Sequence, residues 1–148
     1  MRTVQPDGWP RPKGYSNGVV AEPGGSLFFV AGQVGWDEQE RIVPGGLVAQ
    51  FGQALANVVA VLYAGGGAPE HLARLTIYVR DKDAYKVAAK DIGTVYRRIV
   101  GSHYPAMALV QVADLLEDGA LVEIEATAVI PPAAGGPGRG AGGERRGR

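Results

Sequence analysis

Cysteine is absent from the 148 residues. That excludes disulfides, thiolate nucleophiles and every cysteine-based zinc or iron-sulfur site, and it agrees with a reducing compartment. Histidine is scarce: His71 and His103 stand 32 positions apart, so a metal centre would have to draw on distant carboxylates. No metal and no other cofactor is expected. Net charge is missing as well, because 15 Lys and Arg balance 15 Asp and Glu, and no global field draws in nucleic acid or a membrane. The segment Met1 to Pro10 lacks the roughly 7 to 15 apolar residues of a signal peptide. The most apolar run, Ala54 to Ala64, falls short of the roughly 20 residues that cross a bilayer. A cytoplasmic chain with neither nucleic acid nor membrane as partner is the expectation. The nucleotide-binding Gly-x-x-x-x-Gly-Lys-[Ser/Thr], the zinc-binding His-Glu-x-x-His and the nucleophile turn Gly-x-Ser-x-Gly are all lacking.

What is present is ordinary globular composition, 46% apolar and 20% charged, enough for one core. Two regions divide the chain, a domain over residues 1–130 and a tail over residues 131–148. The tail holds seven Gly, three Pro, three Ala, four Arg and one Glu, with nothing large enough to join a core, and is expected to be disordered. Removing its four arginines and one glutamate leaves eleven basic against fourteen acidic residues in the domain, which is therefore mildly acidic.

Periodicity supplies the elements. Gly18 to Ala21, the turn Glu22-Pro23-Gly24-Gly25 and Leu27 to Ala31 read as a β-hairpin. Leu47, Phe51, Leu55, Val58 and Leu62 recur at helical spacing before Gly65-Gly66-Gly67, where left-handed geometry can end a helix. Leu75, Ile77 and Val79 share one face of a strand. Asp83 to Val100 is a second helix, capped by Asp81 or Asp83 and stopped by Gly101. Ala106 to Val112 and Leu121 to Ile130 are two more strands around the acidic loop Asp114 to Gly119. The order is ββαβαββ, an α+β layer with both helices on one sheet face. Leu27, Phe29 and Ala31 alternate with Phe28 and Val30, and Ala108 and Val110 with Met107 and Leu109, so these strands are apolar on both sides. A second subunit covering the free face is the economical answer, and a small-molecule pocket at the boundary follows.

Two places can carry chemistry. His103, in Gly101-Ser102-His103-Tyr104-Pro105, is either a general base or a half-exposed loop residue. In Leu121 to Ala128 the pleat puts Glu123, Glu125 and Thr127 on one face and Val122, Ile124, Ala126 and Ala128 on the other. If a neighbouring subunit closes that face, one carboxylate can orient a water and exchange protons; otherwise the two glutamates are ordinary solvated residues.

Six segments in order, Gly14 to Gly18, Phe29 to Val34, the Gln-x-x-Gln-Ala-Leu-x-Asn-Val pattern from Gln50, Tyr78 to Asp81, Tyr104 to Ala106 and Val122 to Ala128, resemble the Rid family, formerly called YjgF. The resemblance spans about residues 13–130. It implies a chorismate-mutase-like fold, a homotrimer whose sheets form a central barrel, and clefts between subunits that take a small molecule. In active members an arginine after the Pro-Ala pair grips a substrate carboxylate, and a water held near a glutamate attacks a C=N carbon, releasing ammonia from imino or enamine acids. Here Met107 follows Pro105-Ala106, so the guanidinium fork that would pair with a carboxylate is gone. Ala31 replaces the usual serine before Gly32, and Ala89 an asparagine of the second helix. Tyr15 and Glu123 match the family's cleft residues.

The expected site is therefore Glu123 as the catalytic residue, with Tyr15, Ala31, Gly32, Met107 and Glu123 around the ligand. Its chemistry is expected to be shifted toward a less anionic or more apolar ligand, with Met107 either lining the pocket or filling space. Three functions compete: an imine or enamine hydrolase of altered specificity, a non-catalytic small-molecule-binding or regulatory trimer, and an endoribonuclease, as members of the family have been labelled. The last is the poorest match to an acidic domain.

Overall fold

The computed structural model describes residues 1–133. The expected tail lies, from residue 134 onward, outside the described residues. In chain order the elements are β1 (Arg2–Val4), β2 (Gly18–Val20), β3 (Ser26–Val34), α1 (Gly46–Ala64), a 3-10 turn (Pro69–His71), β4 (Leu72–Val79), α2 (Lys82–Val100), β5 (Ala106–Gln111) and β6 (Val122–Ile130). The last seven segments apart from the 3-10 turn, with β2 among them, reproduce the expected ββαβαββ order; β1 is an addition. Three residues with a single apolar side chain are too few to display a period.

The helices form where the spacing predicts. α1 buries Phe51, Leu55, Val58 and Leu62 on its sheet-facing stripe. By length and apolarity α1 as a whole is long enough to cross a membrane, so the apolar run extends further than Ala54 to Ala64 suggests. Its buried stripe is spent on the sheet and on α2 instead. At its C-terminus Gly66 takes φ +81°, a conformation that side chains resist. α2 is capped by Asp81, whose carboxylate accepts from the N–H groups of Asp83 and Ala84 at 2.9 Å. It buries Ile92, Tyr96 and Val100, and the rings of Phe51 and Tyr85 meet edge to face at 6.3 Å between the helices.

The main sheet has the order β3-β6-β4-β5, with β4 and β5 parallel across the α2 crossover and the other pairs antiparallel. The expected β2-β3 hairpin does not form. β2 pairs with β1, Arg2 opposite Val20 and Val4 opposite Gly18, while β3 lies along β6. The turn between them is turned toward β6: a Cβ on Gly25 would stand 2.5 Å from Cγ1 of Val129. Burying the apolar stripe of β3 beside β6 outweighs the local closure of a hairpin, since a two-stranded ribbon has little core to offer.

Under the helices, Val30, Leu75, Ile77, Val79, Val122, Ile124, Ala126 and Ala128 are buried; each fully buried large side chain here is worth about 1.5–3 kcal/mol relative to exposure. The opposite face is open. It carries Leu27 and Phe29 on one edge strand and Val110 on the other, all exposed. Between them stand Arg74, Thr76 and Tyr78 of β4 and Glu123, Glu125 and Thr127 of β6. The expected two-sided apolar character thus holds for the edge strands and stops at the middle of the sheet.

Candidate functional site

Glu123 projects from β6 between Tyr78 of β4 and Val34 of β3. The β3 ladder is interrupted between Val30 and Gln33, so Ala31 and Gly32 leave the regular pleat beside the glutamate. A Cβ at Gly32 would collide with Oε1 of Glu123, the end of a flexible side chain, so a glycine here leaves the carboxylate its place. The carboxylate rests directly on the glycine backbone, and Ala31, next in line, is exposed. Two residues along β6, Glu125 accepts a hydrogen bond from the Tyr78 hydroxyl at 2.9 Å. That bond, with a smaller desolvation and the negative charges of Glu125 and Glu123, raises the Tyr78 pKa above its usual value. A shallow cavity of about 360 Å³ lies beside this pair, lined by Phe29, Arg74, Glu125 and Thr127 among others.

The other predicted residues gather at the far edge of the sheet. The Ser16 N–H donates to the Pro105 carbonyl at 3.0 Å and the Ser16 hydroxyl donates to the Tyr104 carbonyl, stapling the segment that carries Tyr15 to the entry of β5. Met107 follows at once, opposite Leu75 in the register. Its side chain is therefore on the helix side of the sheet, half-buried and packed against the core. Ala89 is exposed on α2. One chain thus brings Glu123, Ala31 and Gly32 together on β6 and β3 and places Tyr15 and Met107 at the β5 edge, with β4 between the groups.

A cavity of about 690 Å³ belongs to the second group. Trp9, Arg11, Tyr15, Asn17, His103 and Tyr104 are among its walls, and Glu123 is not. His103 is committed on one side: its Nε2 lies 2.7 Å from the Leu72 carbonyl. A carbonyl only accepts, so Nε2 carries the proton there and Nδ1 is the nitrogen left over. Its backbone carbonyl accepts from Tyr96 at 2.8 Å, and Tyr96 stacks on Tyr104 at 5.4 Å. The loop histidine is an anchor between β4 and α2.

Trp9 and Arg11 were not legible as site residues. Nothing in the spacing of a Pro-rich N-terminal segment says that it folds back beside His103; one tryptophan in an otherwise polar stretch was the available signal. The glutamine motif, in contrast, is scaffold. Gln50 is buried, donating to the Gly119 carbonyl at 3.0 Å and accepting from the Leu121 N–H at 2.8 Å, and Asn57 donates to the carbonyls of Val34 and Trp36 at 3.1 and 3.0 Å. These amides fix α1 to the two ends of the sheet that frame Glu123. Among the described residues, no cluster of three or more metal-ligating side chains occurs.

The profile of the family described as Endoribonuclease L-PSP matches residues 10–130. A 2-iminobutanoate/2-iminopropanoate deaminase from Mus musculus is 37% identical over 122 residues, covering 80% of this chain and 82% of the relative. A RutC family protein from Pyrococcus horikoshii is 36% identical over 121 residues, covering 80% and 90%. Among solved structures, a Rid family protein of unknown function from Yersinia pestis superposes with TM-score 0.75 at 30% identity, over 87% of this chain and 98% of that one. RidA from an Antarctic Psychrobacter gives TM-score 0.63 at 30% identity, over 88% and 100%.

Proposed function

The chain belongs to the endoribonuclease L-PSP family, the Rid/YjgF family, and from that premise we propose that it hydrolyses imines or enamines, on a more apolar substrate than small imino acids, in clefts between three copies of itself. The observation that carries the reading is the Glu123 carboxylate seated against Gly32, where any Cβ would collide with Oε1. Such a carboxylate can accept from a water, aim its oxygen at the electrophilic carbon of a C=N bond and take up the proton as the C–O bond forms. Collapse of the resulting aminoalcohol returns the proton to nitrogen and expels ammonia, leaving a carbonyl. Water supplies the oxygen, and no redox partner is needed.

Assembly supports the same reading. The Tyr15 group borders the β5 edge of the strand order β3-β6-β4-β5, and the Glu123 group lies at its other side, on β6 and the β3 edge. A cyclic contact that sets the β5 edge of one copy against the β3 edge of the next joins the two groups, and a heterologous contact of this kind closes into a ring. The same contact covers Leu27, Phe29 and Val110, which are exposed in the single chain.

A second reading, a binding trimer without turnover, has its own support: Met107 packs against the core and presents no guanidinium directly after Pro105-Ala106 to hold a substrate carboxylate. Ribonuclease action has less behind it, given fourteen acidic against eleven basic residues in 1–130. The deciding experiment measures ammonia release from a panel of imines generated in place, from 2-aminoacrylate to aryl-substituted analogues. Turnover of the bulkier members that Glu123→Gln lowers at least about a hundredfold supports hydrolysis. Ligand-induced stabilisation with no ammonia from any member supports the binding trimer.

A further inference from the structure

The cavity at the β5 edge has a composition of its own. It is walled by the rings of Trp9, Tyr15 and Tyr104, and Arg11 is the one Lys or Arg side chain among its lining residues, with no Asp or Glu beside it. Most of its other polar groups are already used. Ser16 donates to the Tyr104 carbonyl, Asn17 donates to the Gln5 side-chain carbonyl, and His103 Nε2 is bound to Leu72. Gln5 in turn donates to the carbonyls of Trp9 and Pro10, both at 3.2 Å. This one amide therefore ties the Trp9 loop to the strand-like segment that carries Tyr15. The Arg11 guanidinium makes no ion pair and no hydrogen bond among the described residues. It sits between Pro10 and Pro12, whose rings restrict the backbone on both sides.

A free fork of five donors beside three aromatic faces, with no competing carboxylate, has one kind of complement: a planar ring that stacks, bearing an anionic group that the guanidinium holds. We infer that Arg11 and Trp9 form the specificity-determining pair of this cavity and that its ligand is an aromatic anion, the ring lying along the Trp9 wall and the charge on Arg11. The inference rests on the cleft reading only for the identity of the site, since Tyr15 is common to both; it names the class of molecule held there. It also reconciles a more apolar ligand with a retained negative charge, because the cation comes from the N-terminal segment and not from β5.

The test is calorimetric titration of the full chain with indole-3-acetate and indole-3-acetamide, two ligands with the same ring and different charge. The acetate binds at least about tenfold more tightly than the amide to the unaltered chain. Arg11→Gln brings the acetate to the level of the amide, Arg11→Lys keeps part of the preference, and Trp9→Ala weakens both ligands alike. Lys13→Gln, a neighbouring basic residue outside the cavity lining, leaves the preference intact. Both sites are exposed, so the variants fold. Equal binding of the pair, no binding of either at millimolar concentration, or a preference that survives Arg11→Gln overturns the inference. A charge preference that depends on Arg11, in a protein that releases ammonia from no imine, supports it and overturns the hydrolase reading. Glu123-dependent turnover with no Arg11-dependent preference does the reverse.

Discussion

The two faces of the sheet are built from the same strands and behave as different materials. Beneath the helices β3, β4 and β6 contribute buried aliphatic side chains and β5 the half-buried Met107 and Leu109, and the face is apolar throughout. On the open side the edge strands present Leu27, Phe29 and Val110 to solvent, while the middle strands present Arg74, Tyr78, Glu123 and Glu125. The comparison separates two jobs. A uniform apolar face is a core that one chain completes by itself. A face that leaves Leu27, Phe29 and Val110 exposed in the single chain suits closure by further copies, and closure would confine the charged groups of its centre.

The largest effects should expose this difference. Leu55→Ala empties a fully buried position of α1 and should cost about 2–5 kcal/mol, read as a lower urea midpoint at fixed protein concentration with the assembled fraction in buffer unchanged. Phe29→Ser, on the open face, should instead lower the assembled fraction in buffer at the same concentration. An assembled fraction that both variants leave unchanged would erase the distinction between the faces. Next, Gln50→Leu removes both bonds from the buried amide to the loop before β6 and leaves the part-buried Gly119 carbonyl and Leu121 N–H without this partner, for about 1–3 kcal/mol; a smaller loss in chemical unfolding would show that water replaces the amide.

Gly32→Ala sharpens the same contrast. The obstacle to its Cβ is the end of a flexible side chain, so stability should fall by less than about 1 kcal/mol, whereas the carboxylate must move and turnover should fall by more than about tenfold. Unchanged turnover would remove Glu123 from its proposed role. The smallest effect concerns Tyr78. Its pKa is raised from the usual 10.0 by the bond to Glu125, so the folded chain holds this proton more firmly than the unfolded one. The stabilisation is fully present below the unfolded value and is lost as pH rises through the folded one. Tyr78→Phe should therefore lower the neutral melting temperature slightly and flatten its alkaline decline; an equally steep decline in the variant would assign it to other groups.

Much of this fold was legible because its elements carry strong periods. The alternation around Glu123 put the right residues on the right faces, and both helices start and stop within a residue of their expected limits. The β2-β3 hairpin failed for a specific reason: a turn signal such as Pro23-Gly24-Gly25 announces a change of direction and says nothing of which strand comes next alongside. β6, about a hundred positions later in the chain, offers β3 a shared core, and that long-range gain is invisible to local pattern. Of the candidate site, the pleat assigns Glu123 to its face, Gly32 is reached only through the family resemblance, and Trp9 and Arg11 depend on how an irregular segment folds back, tied by Gln5 and Asn17. Met107 could be noticed as a replacement, yet only the register opposite Leu75 shows that its side chain turns toward the helices.

The claim beneath all of this is that the open face is closed by copies of the chain and that the two halves of the site meet only there. Sedimentation equilibrium at micromolar concentration tests it without any substrate. A species of three times the 15.5 kDa chain mass, shifted toward smaller species by Phe29→Ser, is the predicted result; a single 15.5 kDa species for the unaltered protein contradicts it.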